Sequence, residues 1–274
     1  MHSGAPVRLT LRPAPADSGV VFVRSDLEDF ETPADWRHVA RVSYATSLMR
    51  NGVLISTTEH LLSALYAMGI DNVRLEMDNL EAPILDGGAK PFVDLINQAG
   101  VRELSAPRRY IRIVEPVRVA DGEKSVEITP CERFELDCRT RFDHPLVGSQ
   151  RIATRVEPEA YAREIAPART FGFERDLEAM REMGLIRGAT LDNALCFGET
   201  GVLNPGGLRF PDECCRHKVL DLIGDLALLG RPLLGKVTAH LAGHALHAAL
   251  VRKIMTSPRC WEPATAERML QAAG

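Results

Sequence analysis

The sequence predicts an α+β protein of two domains, each a β-sheet packed with helices. Three observations lead there. The chain has 274 residues, a length that suits one large domain or two modest ones. Each half shows the two-residue alternation of strands first and the longer apolar period of helices afterwards. Between the halves, Arg102 to Arg109 is polar and carries Pro107, the composition of a linker. It puts the first domain at residues 1–105 and the second at 108–274.

The elements follow in order. Val7 to Leu11 alternates as a strand that Pro13 and Pro15 should end, and Val20 to Val23 begins another. Val53 to Ile55 is a short apolar strand. Ser56-Thr57-Thr58-Glu59 then has the form of a capping box, with Ser56 as cap and Glu59 reaching back. A helix is expected from Thr57 to Met68, stopping at Gly69. Val73 to Met77 alternates again, and Pro91 to Ala99 forms a second helix ending at Gly100. In the second half, Tyr110 to Val119 and Ser125 to Ile128 flank an Asp121-Gly122 turn, and Phe134 to Phe142 alternates. Helices are expected over Asp176–Met183, Pro211–Leu229 and Ala245–Met255.

Composition excludes several functions. Lys plus Arg number 33 and Asp plus Glu 37, a net charge of −4, so the basic field of a general nucleic-acid binder is missing. No apolar run of about 18 residues exists to span a bilayer, and the N-terminus lacks the apolar core of a signal peptide. The six cysteines, Cys131, Cys138, Cys196, Cys214, Cys215 and Cys260, form no C-x-x-C pair. They are expected to be reduced thiols in a cytosolic protein. Gly230 to Val237 approaches a phosphate-binding loop but ends in Val237 instead of Ser or Thr, and it follows a helix. No serine-hydrolase elbow or dinucleotide fingerprint occurs.

Three histidine contexts stand out. Glu59-His60 opens a helix, and the two side chains lie about 100° apart. A ligating imidazole and a neighbouring carboxylate can therefore share a cleft, although capping Ser56 is the plainer role for Glu59. His217 and Asp221, four apart, stack on one helix face about 6 Å from each other, the spacing by which one helix offers two ligands to a divalent ion. Asp225 continues that stripe among Val219, Leu220, Leu222, Ile223, Leu226 and Leu229, where an aspartate needs a partner. Gly243-His244 begins the last helix. A histidine near Asp225 could be held protonated and serve as a general acid; a helix-capping histidine fits equally well. Two histidines, an aspartate and a water make an open zinc site. With a carboxylate base and a histidine acid, that is a metal-assisted amide or ester hydrolase.

Six segments in order carry a specific likeness: Ile55-Ser56-Thr57-Thr58-Glu59-His60-Leu61-Leu62, Ile84-Leu85-Asp86-Gly87, Ala168-Arg169-Thr170-Phe171-Gly172-Phe173, Gly207-Leu208-Arg209-Phe210, Arg216-His217-Lys218 running on to Leu226, and Gly243-His244-Ala245-Leu246. Together they strongly resemble the UDP-3-O-acyl-N-acetylglucosamine deacetylase family, from about His2 to the last helix. The resemblance implies two similar α+β domains whose helix layers meet, with the active site between them. It also implies a hydrophobic passage for an acyl chain at about residues 173–197. Zinc is the implied cofactor, with ferrous iron also suited, held by His60, His217 and Asp221. Glu59 resembles the general base, Thr170 the hydroxyl that helps hold the oxyanion, and His244 the general acid with Asp225 as its carboxylate partner. Lys218, Phe171 and Phe142 match substrate-binding positions, Phe142 against the uracil.

The implied substrate is a UDP-linked acylated amino sugar whose N-acetyl group is hydrolysed to acetate, the committed step of lipid A synthesis in Gram-negative bacteria. The expected protein is a cytoplasmic monomer with no nucleic-acid partner and no membrane span, near the membrane at most transiently. Family members carry about one further strand ahead of a Gly-Leu-His-Ser-Gly segment, within which this chain starts at Met1-His2-Ser3-Gly4, so that strand is expected to be missing. His247 stands where Asn is common, and Leu241 where a basic residue is common.

Overall fold

The computed structural model describes residues 1–265. The first half runs β1 (Leu9–Pro13), β2 (Val20–Arg24), β3 (Phe30–Pro33), a 3-10 turn at Trp36–His38, β4 (Val39–Arg41), β5 (Ser47–Arg50), β6 (Val53–Ile55), α1 (Glu59–Ala67), β7 (Val73–Met77) and α2 (Lys90–Ala99). The second half runs β8 (Arg109–Ile113), β9 (Val117–Asp121), β10 (Lys124–Thr129), β11 (Phe134–Arg141), β12 (Ser149–Arg155), α3 (Pro158–Glu164), β13 (Phe171–Phe173), α4 (Leu177–Glu182), β14 (Leu195–Phe197), α5 (Glu213–Leu226), β15 (Leu233–His240), α6 (His244–Thr256) and β16 (Trp261–Thr265).

The first half forms a four-stranded sheet in the order β1-β7-β2-β3 and a separate ribbon β4-β5-β6. β2 and β7 are parallel, so the chain between them must cross over, and α1 lies in that connection. Pro13 does not end its strand: it pairs with Val73. β1 stands at the sheet edge, where a missing N–H is tolerated. The second sheet has the order β12-β11-β15-β10-β9, with β8 also on β15 and β16 on β8. The strand expected over Tyr110–Val119 is broken around Pro116 into β8 and β9. β15 was not expected at all. It lies centrally, parallel to β11, so the order of strands before helices is interrupted between α5 and α6.

Both halves share one apolar core. Phe22, Leu75 and Met77 of the first sheet, Leu61, Leu62 and Leu65 of α1, Leu222, Ile223 and Leu226 of α5, and Val126, Ile128 and Val237 of the second sheet belong to it. Each such side chain contributes roughly 1.5–3 kcal/mol on burial. The two helix layers meet where α1 lies against α5. The contact is close because position 224 is glycine: a Cβ there would stand 2.0 Å from the Glu59 carbonyl oxygen. This approach places the first turn of α1 beside the middle of α5, and the candidate site forms at that junction.

Candidate metal centre and active site

Both Glu59 and His60 are buried at the start of α1. The expected capping box does not form. The cap position is Thr58, which makes no side-chain capping bond; the Ser56 hydroxyl instead accepts from Ser47 at 3.1 Å. The Glu59 carboxylate points inward, and its Oε2 accepts the Thr46 N–H at 3.0 Å. Thr57, just before the helix, adopts φ 57°, a left-handed conformation that is costly for a β-branched residue, on the order of 1–3 kcal/mol. Its hydroxyl is gripped by Glu81 Oε1 at 3.0 Å. The Glu81 carboxylate also accepts the N–H groups of His2 and Ser3, each at 2.7 Å.

His60, His217 and Asp221 come together as expected. The Nε2 atoms of His217 and His60 lie 3.3 and 3.6 Å from Asp221 Oδ1, and the two rings meet edge to face at 4.8 Å between centroids. A tetrahedral ion with bonds of about 2.0–2.2 Å separates its donors by about 3.4 Å, so this buried N, N, O set has the dimensions to hold one. The remaining nitrogen of His217, Nδ1, lies 3.0 Å from the Ala168 carbonyl oxygen, which fixes the tautomer that turns Nε2 inward. Burial pulls the His217 imidazole down to about 3, so it is neutral and able to ligate. Asp221 Oδ2 accepts from Lys218 Nζ at 2.8 Å. Burial alone would raise the Asp221 carboxyl, but the polar groups around it, His217 and Lys218 first among them, hold it well below its ordinary value. His60 Nδ1 is buried without a partner among the described residues.

Beside this cluster sits a second one. Asp225 Oδ2 lies 2.7 Å from His244 Nδ1 and 2.8 Å from His247 Nδ1, while its Oδ1 accepts from the Thr46 hydroxyl at 2.6 Å. Burial works against charge on His244, but Asp225 outweighs it and carries the imidazole up to about 9. For Asp225, burial is likewise outweighed by the two histidines, and the carboxyl is held at about 2. His244 Nε2 lies 4.0 Å from Asp221 Oδ2, so the acid candidate faces the metal cluster. Burial raises Glu59 above the ordinary carboxylate value, against the opposing charge of His244. A carboxylate of raised pKa next to a cationic imidazole is the pairing that general base and general acid require.

Thr170 immediately precedes β13. Its N–H donates to the Gly87 carbonyl at 2.8 Å, and its hydroxyl has no hydrogen bond to the described residues. The neighbouring Arg169 is anchored by Glu213 through its N–H at 3.1 Å and its Nε at 2.9 Å. Phe171 packs 6.2 Å from the His217 ring, with Lys218 Nζ 5.7 Å from its own centroid. Phe142 packs edge-on to Phe171 at 5.1 Å. Both border a satellite apolar cluster of Val147, Phe173, Leu195, Phe197 and Cys214. That cluster is framed by the parallel pair β13–β14, the strands at either end of the segment expected to form an acyl passage.

Thr46, Glu81 and the Arg169–Glu213 pair were not foreseen. The requirement of each buried carboxylate for donors was a signal that such groups exist, not which they are. A wide groove of about 2200 Å³ opens elsewhere, between β1 and the segment around Pro107. It shares no residue with either His–Asp cluster, so its size is no guide to the chemistry.

Comparison with known proteins points the same way. The family model for UDP-3-O-acyl N-acetylglycosamine deacetylase matches residues 1–256. A protein of Solibacter usitatus named UDP-3-O-acyl-N-acetylglucosamine deacetylase is 62% identical over 269 residues, covering 98% of this chain and 91% of its own length. Proteins of the same name from Myxococcus xanthus and an Anaeromyxobacter species are 50% and 52% identical, covering 98% and 95% of this chain and 86% and 85% of their own.

Proposed function

The chain belongs to the UDP-3-O-acyl N-acetylglycosamine deacetylase family, and from that premise we propose that it removes the N-acetyl group of UDP-3-O-((R)-3-hydroxyacyl)-N-acetylglucosamine as acetate, the committed step of lipid A biosynthesis. The observation that carries this reading is the convergence of two imidazole Nε2 atoms on Asp221 Oδ1 at tetrahedral separations, between a buried carboxylate and a cationic histidine. His60, His217 and Asp221 would hold zinc; the same donors suit ferrous iron.

A divalent ion bound there supplies Lewis-acid chemistry, acidifying a water and polarising the amide carbonyl. Glu59 takes the proton of the attacking water, and burial, which raises its carboxyl above the ordinary carboxylate value, strengthens it as a base. Thr170 donates its hydroxyl hydrogen to the developing oxyanion, a role whose loss typically costs about 3–4 kcal/mol. His244 gives its Nε2 proton to the departing sugar nitrogen while Asp225 holds Nδ1. Lys218, Phe171 and Phe142 contact the substrate, and the segment of about 173–197 takes the acyl chain. Residues 1–105 and 108–274 are the two domains, 266–274 lying outside the described residues.

No described helix is long and apolar enough to cross a membrane. The proposed protein is a cytoplasmic monomer that shelters the acyl chain of its substrate. The test is acetate release from the named substrate before chelation, after it, and after adding back zinc or ferrous iron. Release that stops on chelation and returns with metal supports the reading; release indifferent to metal, or none in any state, refutes it.

A further inference from the structure

Thr46 sits in the loop leading from β4 into β5 and takes no part in the mechanism above. It is buried, 1% exposed, and its N–H and hydroxyl both reach site residues. Its N–H donates to Glu59 Oε2 at 3.0 Å. Its hydroxyl donates to Asp225 Oδ1 at 2.6 Å and lies 3.3 Å from His244 Nδ1. Its carbonyl accepts the N–H and the hydroxyl of Thr58 at 3.2 and 3.1 Å, tying it to the residue just ahead of Glu59. Asp225 is 179 positions away along the chain, on the helix of the other half.

We propose that Thr46 is a positioning residue for deacetylation, holding the base and the partner of the acid in one hydrogen-bonded chain. The inference rests on the assignment of Glu59 and His244 proposed above. A carboxylate turns easily about its last torsion. Both imidazoles grip the same oxygen of Asp225, Oδ2, and two bonds to one oxygen leave that torsion poorly fixed. The Thr46 hydroxyl is the one side-chain hydrogen bond to Oδ1 among the described residues, so it sets the rotation that aims Oδ2 at His244 Nδ1. The amide of the same residue aims Glu59. A rigid link between groups acting on opposite sides of the scissile bond matters because a misplacement of about 1 Å can cost about 100-fold in rate.

The test compares Thr46→Val, which keeps the amide and the shape but lacks the hydroxyl, with Thr46→Ser, which restores it. Both are assayed as the full chain at equal zinc content. The expected result for Thr46→Val is a kcat loss of about tenfold or more with KM within about twofold, and for Thr46→Ser a return to within about threefold of the parent. A readout without turnover is the downfield proton resonance of His244 Nδ1–H in the zinc-free protein, assigned by its loss in His244→Gln. It should move in Thr46→Val and return in Thr46→Ser. Unchanged kcat and resonance in Thr46→Val, or equal losses in both variants, overturn the proposal. If Thr46→Val does not fold, Thr46→Ala against Thr46→Ser reads the same hydroxyl. Glu59→Gln is run alongside: full turnover there overturns the base assignment itself, whereas inactive Glu59→Gln with fully active Thr46→Val overturns only the role of Thr46.

Discussion

Replacing Gly224 by alanine perturbs the contact that brings the two helix layers together. The added Cβ would meet the Glu59 carbonyl oxygen at 2.0 Å, its carbon at 2.7 Å and its Cα at 2.9 Å. Ordinary contact begins at 3.4 Å, so α1 has to retreat from α5 by about 1.4 Å at this point. All three atoms are backbone, and no rotamer change relieves them. Overpacking of this kind costs about 1–3 kcal/mol, which a protein of ordinary stability survives. The proposed metal centre is less tolerant, because His60 rides on α1 while His217 and Asp221 ride on α5. His60 Nε2 is 3.6 Å from Asp221 Oδ1, and the retreat carries it toward about 5 Å. Two bonds of about 2.1 Å span at most about 4.2 Å, so one ion can no longer reach both donors. The expected variant is folded, with only a modest loss of Tm by circular dichroism. Its zinc affinity, read by competition with a chromophoric chelator, falls by more than about 10–100-fold, and kcat/KM falls about 100-fold. A Gly224→Ala protein with parental zinc affinity and turnover would refute the claim that this close approach builds the site.

The remaining predictions concern individual side chains. Glu59→Ala should keep its zinc and lose most of kcat, about 100-fold or more, whereas His217→Ala should lose zinc itself; metal analysis and turnover on both variants separate base from ligand, and full occupancy in His217→Ala counts against the ligand assignment. Glu81 gives a pH prediction. Burial would raise its carboxyl, but the Ser3 hydroxyl and the His2 and Ser3 amides outweigh burial and hold it at about 2, below its ordinary 4.5. A depressed folded-state pKa stabilises the protein above the ordinary value and loses that contribution as pH falls toward 2. The difference in urea midpoint between the parent and Glu81→Gln should therefore be largest near neutrality, about 1–2 kcal/mol after solvent screening, and shrink between pH 4.5 and 2.5. A difference that stays constant over that range contradicts the assignment.

The parts of the fold legible in the sequence are those with an apolar period and a clear stop. Leu61, Leu62 and Leu65 mark α1, and the stripe from Val219 to Leu226 marks α5, because each buries an apolar face. β12 was missed for the opposite reason. Its residues Ser149–Arg155 alternate between exposed and half-buried, so a strand with no fully buried position leaves little hydrophobic trace. β15 escaped because it begins inside the Gly230–Val237 stretch, whose glycines and Pro232 read as a loop. The strand is specified by its neighbours, being paired with β10, β11 and β8, and such pairing is not a local property of the chain.

The candidate site divides along the same line. His217 and Asp221 were legible because their relation is local, one helical turn apart, and because two aspartates in an apolar stripe demand an explanation. The role of Glu59 was only half legible. Its sequence context satisfied a local rule, the capping box, and the folded chain sets that rule aside because the Thr46 N–H is the donor at hand and Ser56 is engaged by Ser47. The residues that aim the chemistry have no local mark. Thr46 reaches Asp225 across 179 positions, Ser3 reaches Glu81 across 78, and Arg169 reaches Glu213 across 44. Threonine, serine and arginine are ordinary on any surface; they become informative only once each buried carboxylate is asked for its donors. Glu59, Glu81, Glu213, Asp221 and Asp225 are all buried, and each has a donor from a distant segment or a neighbouring turn. In a junction that holds this much negative charge, the donors set the direction of every carboxylate, and with it where a metal ion, a base and an acid can stand relative to one another.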